Sequence, residues 1–228
     1  VTAGVSRHHF SGGMSHAPMK DFEFLRDARV FDGLAGENEE AQVNWRAGDV
    51  TSRVHVVQVT DNFFDVTGTP LAMGRGIQAG ESDTVVLSWR FWQRRLGGDP
   101  DVLGRKLVLD GRPLTVAGVL TKGHRTMIGR GFAPEMYVRA PANGSVTLYA
   151  RVAPGMTKAV AQSRITAAAQ VLDGIDPKPH PRASYIKVSD AGGLGRLTSE
   201  AGFMPVAMFF AMLMTVVTLV LLIACANV

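Results

Sequence analysis

The stretch LSWRFWQRRLGGDPDVLGRKLVLDGRPLTVAGVL, Leu87–Leu120, sets a capped helix directly before a hairpin. Ser88 reads as the cap of the helix WRFWQRRL, because its hydroxyl satisfies a free N–H of the first turn. The helix stops at Gly97-Gly98, where glycine accepts the left-handed backbone of a helix end. Lys106–Leu109 and Leu114–Leu120 then flank Asp110-Gly111. Asp-Gly between two β-rich runs predicts a hairpin, since a type I′ turn needs positive φ twice. Thr84–Leu87 (TVVL) just upstream reads as a short apolar strand.

Working outward, Pro18–Ala28 (PMKDFEFLRDA) reads as a short helix with Asp21 and Glu23 near its start. Val54–Val59 is strand-like by its β-branched content, and Asp61-Asn62 reads as the cap of a helical turn through Phe63, Phe64 and Val66. Leu148–Val152 reads as a strand. Thr157 caps a helix through Leu172 with Ala161, Ile165, Ala168 and Leu172 on one face. Ser184–Val188 (SYIKV) reads as a further strand, and the first fifteen residues, which have no period, as loop. Strands and helices alternate irregularly around one clear hairpin, a pattern that fits α+β better than a doubly wound sheet.

The 228 residues carry 24 Lys+Arg against 20 Asp+Glu, a net charge of +4 too small and too mixed to argue for nucleic acid. A 46% apolar, 19% charged composition excludes disordered and fibrous classes. The mean hydropathy of +0.10 is high for a soluble domain. Its excess sits at the end, in VAMFFAMLMTVVTLVLLIACA, Val206–Ala226, which has no charge, glycine or proline. A run of about 20 apolar residues suffices to span a hydrocarbon core, so 205–228 is expected to hold a transmembrane helix, with Pro205 at its first position. Residues 1–204 are expected to fold outside the membrane. Its orientation is not readable, because Lys187 and Arg196 are offset by Asp190 and Glu200. The first residue is Val, which suggests a fragment or a processed chain.

Signatures of chemistry are missing. The single Cys225 excludes a disulfide framework and lies within the apolar run, where it reads as an inert thiol. Of His8, His9, His16, His55, His124 and His180, only the first three cluster, and no acidic residue stands near them at ligand spacing. GRGIQAG (Gly74, Gly76, Gly80) lacks the end of a dinucleotide fingerprint and reads as turn glycines. No common hydrolase motif occurs. Trp89, Phe91, Trp92, Gln93, Arg94 and Arg95 offer two readings: a ligand or glycan platform, or aromatic packing on the hairpin with solvated arginines. No catalytic, cofactor-binding or metal-binding residue is assigned, and no cofactor is expected.

Together these segments resemble the periplasmic core domain of MacB-like ABC transporter permeases, of the FtsX-like superfamily. The likeness rests on Leu87–Leu120, on DFEFLRDARVFDGLAG (Asp21–Gly36) and on VTDNFFDVTGTPLAMGRGI (Val59–Ile77). The helix after LYARVAPGMT (Leu148–Thr157) and the closing IACANV (Ile223–Val228) extend it over nearly the whole chain. It is most similar to the large duplicated permeases of acidobacteria. The resemblance implies a porter-like βαβ periplasmic domain over 1–204, with a small α/β subdomain inserted at about 84–141 and one transmembrane helix after it. It also implies location at the bacterial inner membrane, with the 1–204 domain periplasmic. Expected partners are the membrane, a second permease copy or an internal pseudo-dimer mate, a separate ABC ATPase and a periplasmic adaptor. The expected role is a permease part that couples ATPase-driven movement to export or mechanotransmission. Two other classes stand beside it: a tail-anchored periplasmic binding module using the Trp/Arg helix, and a membrane-anchored hydrolase with a cleft of perturbed carboxylates or histidines.

Overall fold

The computed structural model of the chain describes residues 17–124, 134–188 and 200–226. Its elements in order are β1 (Ala17–Pro18), α1 (Met19–Asp27), β2 (Gly33–Ala47), β3 (Val50–Val59), α2 (Phe63–Thr67), β4 (Leu71–Gly74) and β5 (Thr84–Leu87). They continue with α3 (Trp89–Arg95), β6 (Lys106–Leu109), β7 (Arg112–Leu120), β8 (Met136–Arg139), β9 (Ser145–Arg151), α4 (Lys158–Ile175), α5 (Arg182–Tyr185) and α6 (Glu200–Ala226).

The hairpin forms as its sequence requires. Asp110 and Gly111 take φ of 45° and 78°, both positive, and β6 pairs antiparallel with β7 across them. Asp110 does more than turn the chain. Its carboxylate accepts from the backbone N–H and side-chain amide of Asn44 at 2.9 and 3.0 Å, fastening the hairpin to β2.

Sheet order is β1-β9-β2-β3-β8-β5-β7-β4, and β6 bridges β2 and β7. Traced through their pairings, β2, β3, β8, β5, β7 and β6 return to β2, a closed ring of strands. Alternate residues point inward, as the two-residue period of a strand dictates. Trp45, Val54, Val56, Val85, Leu87, Leu107, Leu109, Leu114, Val116 and Met136 thereby share one buried cluster, which Phe91 and Trp92 of α3 join. Burying each large side chain contributes about 2 kcal/mol. Closure also removes free strand edges.

The long strand β2 links this ring to the rest. Its register shifts between Asn38 and Ala41, a bulge that lets Gly33–Glu37 pair with β9 while Trp45 and Arg46 pair with β6. At the other end, α1 and α4 pack Phe22, Leu25, Ala161, Ile165 and Ala169 on Leu34, Leu148 and Ala150. A third cluster of Phe63, Phe64, Tyr137 and Tyr149 fills the space between. From Leu34 in one terminal cluster to Trp45 in the other, β2 extends about 35 Å.

Ser88 and Thr157 cap α3 and α4 by accepting from the N–H of Phe91 and Val160. On α4 it is Ala169, not Ala168, that is fully buried, and the helix continues past Leu172 to Ile175. Ser184–Val188 is not a strand. Pro181 starts the short helix α5, and the backbone after it bonds to a side chain: the Gln162 amide donates to the Ile186 carbonyl at 2.8 Å and accepts from the Val188 N–H at 2.7 Å. A side-chain amide thus occupies the place of a neighbouring strand. The expected N-terminal loop over the first fifteen residues lies outside the described residues.

Helix α6 runs Glu200–Ala226 and contains the apolar run. Among the described residues no helix is long and apolar enough to cross a membrane. Side chains of α6 are described continuously over 208–220, which rises only about 20 Å. All of those are exposed, from Met208 at 69% to Val220 at 60%.

Candidate functional site

The most elaborate polar structure joins α1 to the segment after α4. The α4 helix ends at Asp176, a proline-rich turn comes next, and α5 opens at Arg182. Arg182 is 1% exposed, an uncommon place for a cation. Burial is tolerable only if every donor is used. Nε and Nη2 bond the Asp21 carboxylate of α1 at 2.6 and 3.1 Å, a bidentate fork. Nη1 donates to Asp173 Oδ1 at 3.1 Å and to the Asp176 carbonyl at 2.8 Å, and Nη2 also reaches Asp176 Oδ2 at 2.8 Å. All five guanidinium N–H groups are therefore occupied.

Asp173 serves twice, since its oxygens also accept from the N–H groups of Arg182 and Ala183 at the start of α5. Burial pulls the Asp173 carboxyl upward, but those two N–H groups and the guanidinium outweigh it and hold it below its ordinary value. Asp176 is held lower still, first by the Lys20 ammonium at 2.8 Å and then by Arg182. Asp21, foremost, raises the Arg182 guanidinium further above its ordinary range. Arg182 at one end and the Gln162 clamp at the other fasten 182–188, with Ile186 buried between them. The cluster is charge held in fixed geometry, and its members, one arginine, two lysines (Lys20 and Lys178) and three aspartates, include no nucleophile of the Ser, Cys or Thr kind. It ties α1 to the end of α4 and the start of α5.

At the opposite end, α3 divides its residues between packing and solvent. Phe91 and Trp92 point into the ring, Phe91 edge-on to Trp45 at 5.0 Å, and the Trp92 indole donates to the Asp99 carbonyl at 2.8 Å. Trp89 is half-buried against Trp92, with ring centres 4.7 Å apart. Gln93, Arg94 and Arg95 face solvent. Phe91 and Trp92 are packing, whereas the arginine face and part of Trp89 stay open to solvent.

The glycine stretch serves the fold. Gly74 has φ of 72° and a Cβ there would meet the Ala117 carbonyl at 2.1 Å, while Gly76 lies against the Phe64 ring. Arg75 pairs with Glu81 across the turn and holds its carboxyl down to about 2. Among the described residues the histidines do not converge: His55 and His180 are exposed, and His8, His9 and His16 lie outside the described residues. His124 bonds the Tyr137 hydroxyl at 3.0 Å; burial lowers its pKa and raises that of Tyr137. Among the described residues no group of three or more His, Cys, Asp or Glu could hold a metal ion. Cys225 is exposed on α6. The Arg182 cluster was not legible in the sequence, because Asp21 and Arg182 stand 161 residues apart.

The described residues thus form a mixed sheet with a closed strand ring at one end and an ion-locked pair of helices at the other. The chain belongs to the family of MacB-like periplasmic core domains, whose model matches residues 1–168. It is a periplasmic domain of a MacB-like ABC transporter permease. Its fold is similar to that of the periplasmic region of MacB from Actinobacillus actinomycetemcomitans, at 13% identity and TM-score 0.60, covering 82% of this chain and 90% of that one. The extracellular domain of the noncanonic ABC-type transporter YknZ from Gram-positive bacteria is similar at 16% identity and TM-score 0.56, covering 80% and 98%. A domain of a permease protein from Porphyromonas gingivalis gives 18% identity and TM-score 0.55, covering 76% and 85%. No curated protein matches the chain.

Proposed function

We propose that this chain is the extracytoplasmic part of a permease together with the start of its membrane domain, and that it relays movement driven by a separate ABC ATPase. The observation that carries this reading is the Arg182 cluster. It ties α1, next to where the chain enters the domain, to the segment that leads out toward α6, so displacement of either is felt by both. In this reading Val206–Ala226 spans the bacterial inner membrane as one helix and residues 1–204 stand in the periplasm. The strand ring, built largely from 84–141, is the inserted subdomain. The working unit holds two such domains, as a homodimer or internal pseudo-dimer, with a periplasmic adaptor as a further partner. Substrate chemistry resides in none of these residues. Family membership and the apolar length of 206–226 support the placement.

Thiol labelling in intact cells tests it. Asp49 is exposed at the β2–β3 turn. Introduced into the permease, Asp49→Cys should react with a membrane-impermeant maleimide without lysis. Labelling that arises only after the cells are broken places the domain in the cytoplasm and overturns the reading.

A further inference from the structure

Surface charge is unevenly placed. Segments 41–56 and 84–113, which build most of the strand ring and α3, hold eight Lys and Arg against four Asp, an excess equal to that of the whole chain. Outside those segments four of the seven described arginines have carboxylate partners: Arg26 with Asp27, Arg75 with Glu81, Arg139 with Asp61 and Arg182 with its three aspartates. On α3, Arg90, Arg94 and Arg95 are exposed and take no side-chain partner among the described residues.

Helix stability does not account for them. Arg94 and Arg95 suit the last turn, but Arg90 stands in the first, where the macrodipole disfavours a cation and no acidic residue compensates. Arg90 and Arg94 are one turn apart on the same face, with Cβ atoms about 6 Å from each other. Beside them Trp89 is already held against Trp92, so a partner packing on it orders no loose ring. Rigid tryptophan next to unpaired arginine is the composition that dominates binding energy at protein interfaces. The position also matters: α3 caps the ring, about 35 Å along β2 from the apolar cluster at the other end of the domain.

We propose that the outer face of α3 is a docking surface for an acidic protein segment, whose carboxylates the arginine forks engage at the end of β2 far from the Arg182 cluster. The periplasmic location of that partner rests on the proposed function. The binding does not.

The test uses the full chain in non-ionic detergent, with fluorescein-labelled octaglutamate as probe and polygalacturonate as the glycan alternative. Saturable octaglutamate binding should weaken about tenfold in the triple variant R90Q/R94Q/R95Q, a few-fold for each exposed pair. It should change less than about twofold in the control R53Q/R112Q, which removes ring charge away from α3. Equal weakening in both variants reduces the patch to diffuse attraction and overturns the proposal. So does an absence of saturable binding. Tighter, triple-variant-sensitive binding of polygalacturonate assigns the surface to a glycan and overturns the protein partner. A failure here leaves Asp49→Cys labelling untouched, and failed labelling leaves the peptide titration standing, so the two ideas fall separately.

Discussion

Arg182 is a guanidinium taken out of water, and its partners decide what its loss does. Removing it leaves Asp21, itself 2% exposed, as a buried charge without compensation. Breaking such a pair from one side costs about 3–5 kcal/mol. Arg182→Met should therefore lower the Tm by on the order of 10 °C, for a chain where each kcal/mol moves it roughly 2–4 °C. A fall below about 3 °C would remove the cluster from the sources of stability. The double variant D21L/R182M should regain part of the loss, since a packed apolar pair escapes the desolvation cost. Acid titration reads the same site. Asp173 and Asp176 are depressed in the folded protein below their ordinary value of 3.8. The unfolded chain then binds more protons, so the stability they contribute is complete above about pH 4–5 and is lost as pH falls through their folded values. Thermal melts between pH 7 and 3 should show that fall in the parent and a shallower one in R182M. Parallel curves would mean that Arg182 does not hold the carboxylates down.

At the scale of elements, the hairpin turn is tested by backbone strain alone. Nothing lies within 4 Å of a Cβ placed on Gly111, yet its φ is 78°. Gly111→Val should cost about 1–2 kcal/mol, and G111N, which tolerates that region better, distinctly less. Melting of both variants checks this, and a valine variant as stable as the parent would refute the type I′ assignment. That turn was legible because Asp-Gly, like the caps Ser88 and Thr157, is a local rule satisfied by residues close in sequence. Strand β2 was not: GLAGENEEAQVNWRA is acidic, poor in β-branched residues and interrupted by a bulge, so its pairing rather than its propensity makes it a strand. Strand β8 is four residues long and draws its stability from β3 and β5 on either side. SYIKV failed the other way. Its alternation is strand-like, but among the described residues no strand edge pairs with it, and Gln162 with Arg182 fixes the backbone instead. The ring closes through Trp45–Leu109 and Arg46–Val108, contacts between distant segments that no local pattern announces.

At the scale of the whole molecule, the question is how far the folded domain depends on α6. Among the described residues, the three apolar clusters between them draw on Ala17 to Ile186, with Val188 packed at the margin, and on none from α6. The described face of α6 is exposed along 208–220. In the proposed function, lipid covers the apolar side chains exposed along 208–220. If the domain's stability resides in those clusters and in the Arg182 cluster, a chain of residues 1–204 should fold by itself. Its Tm should lie within about 2 °C of the full chain in detergent, and it should stay monomeric in buffer without detergent. The full chain, by contrast, should require detergent to remain dispersed, because large exposed apolar patches associate in water. Differential scanning calorimetry with light scattering on the two forms decides the matter. A truncated chain that melts several degrees lower would show that α6 packs on the domain, and force entering through the membrane would then spread over that interface rather than pass through Arg182. Equal Tm values would fit the proposed relay through 182–188, and R182M, which loosens that segment at one end, is then the variant expected to uncouple it from α1.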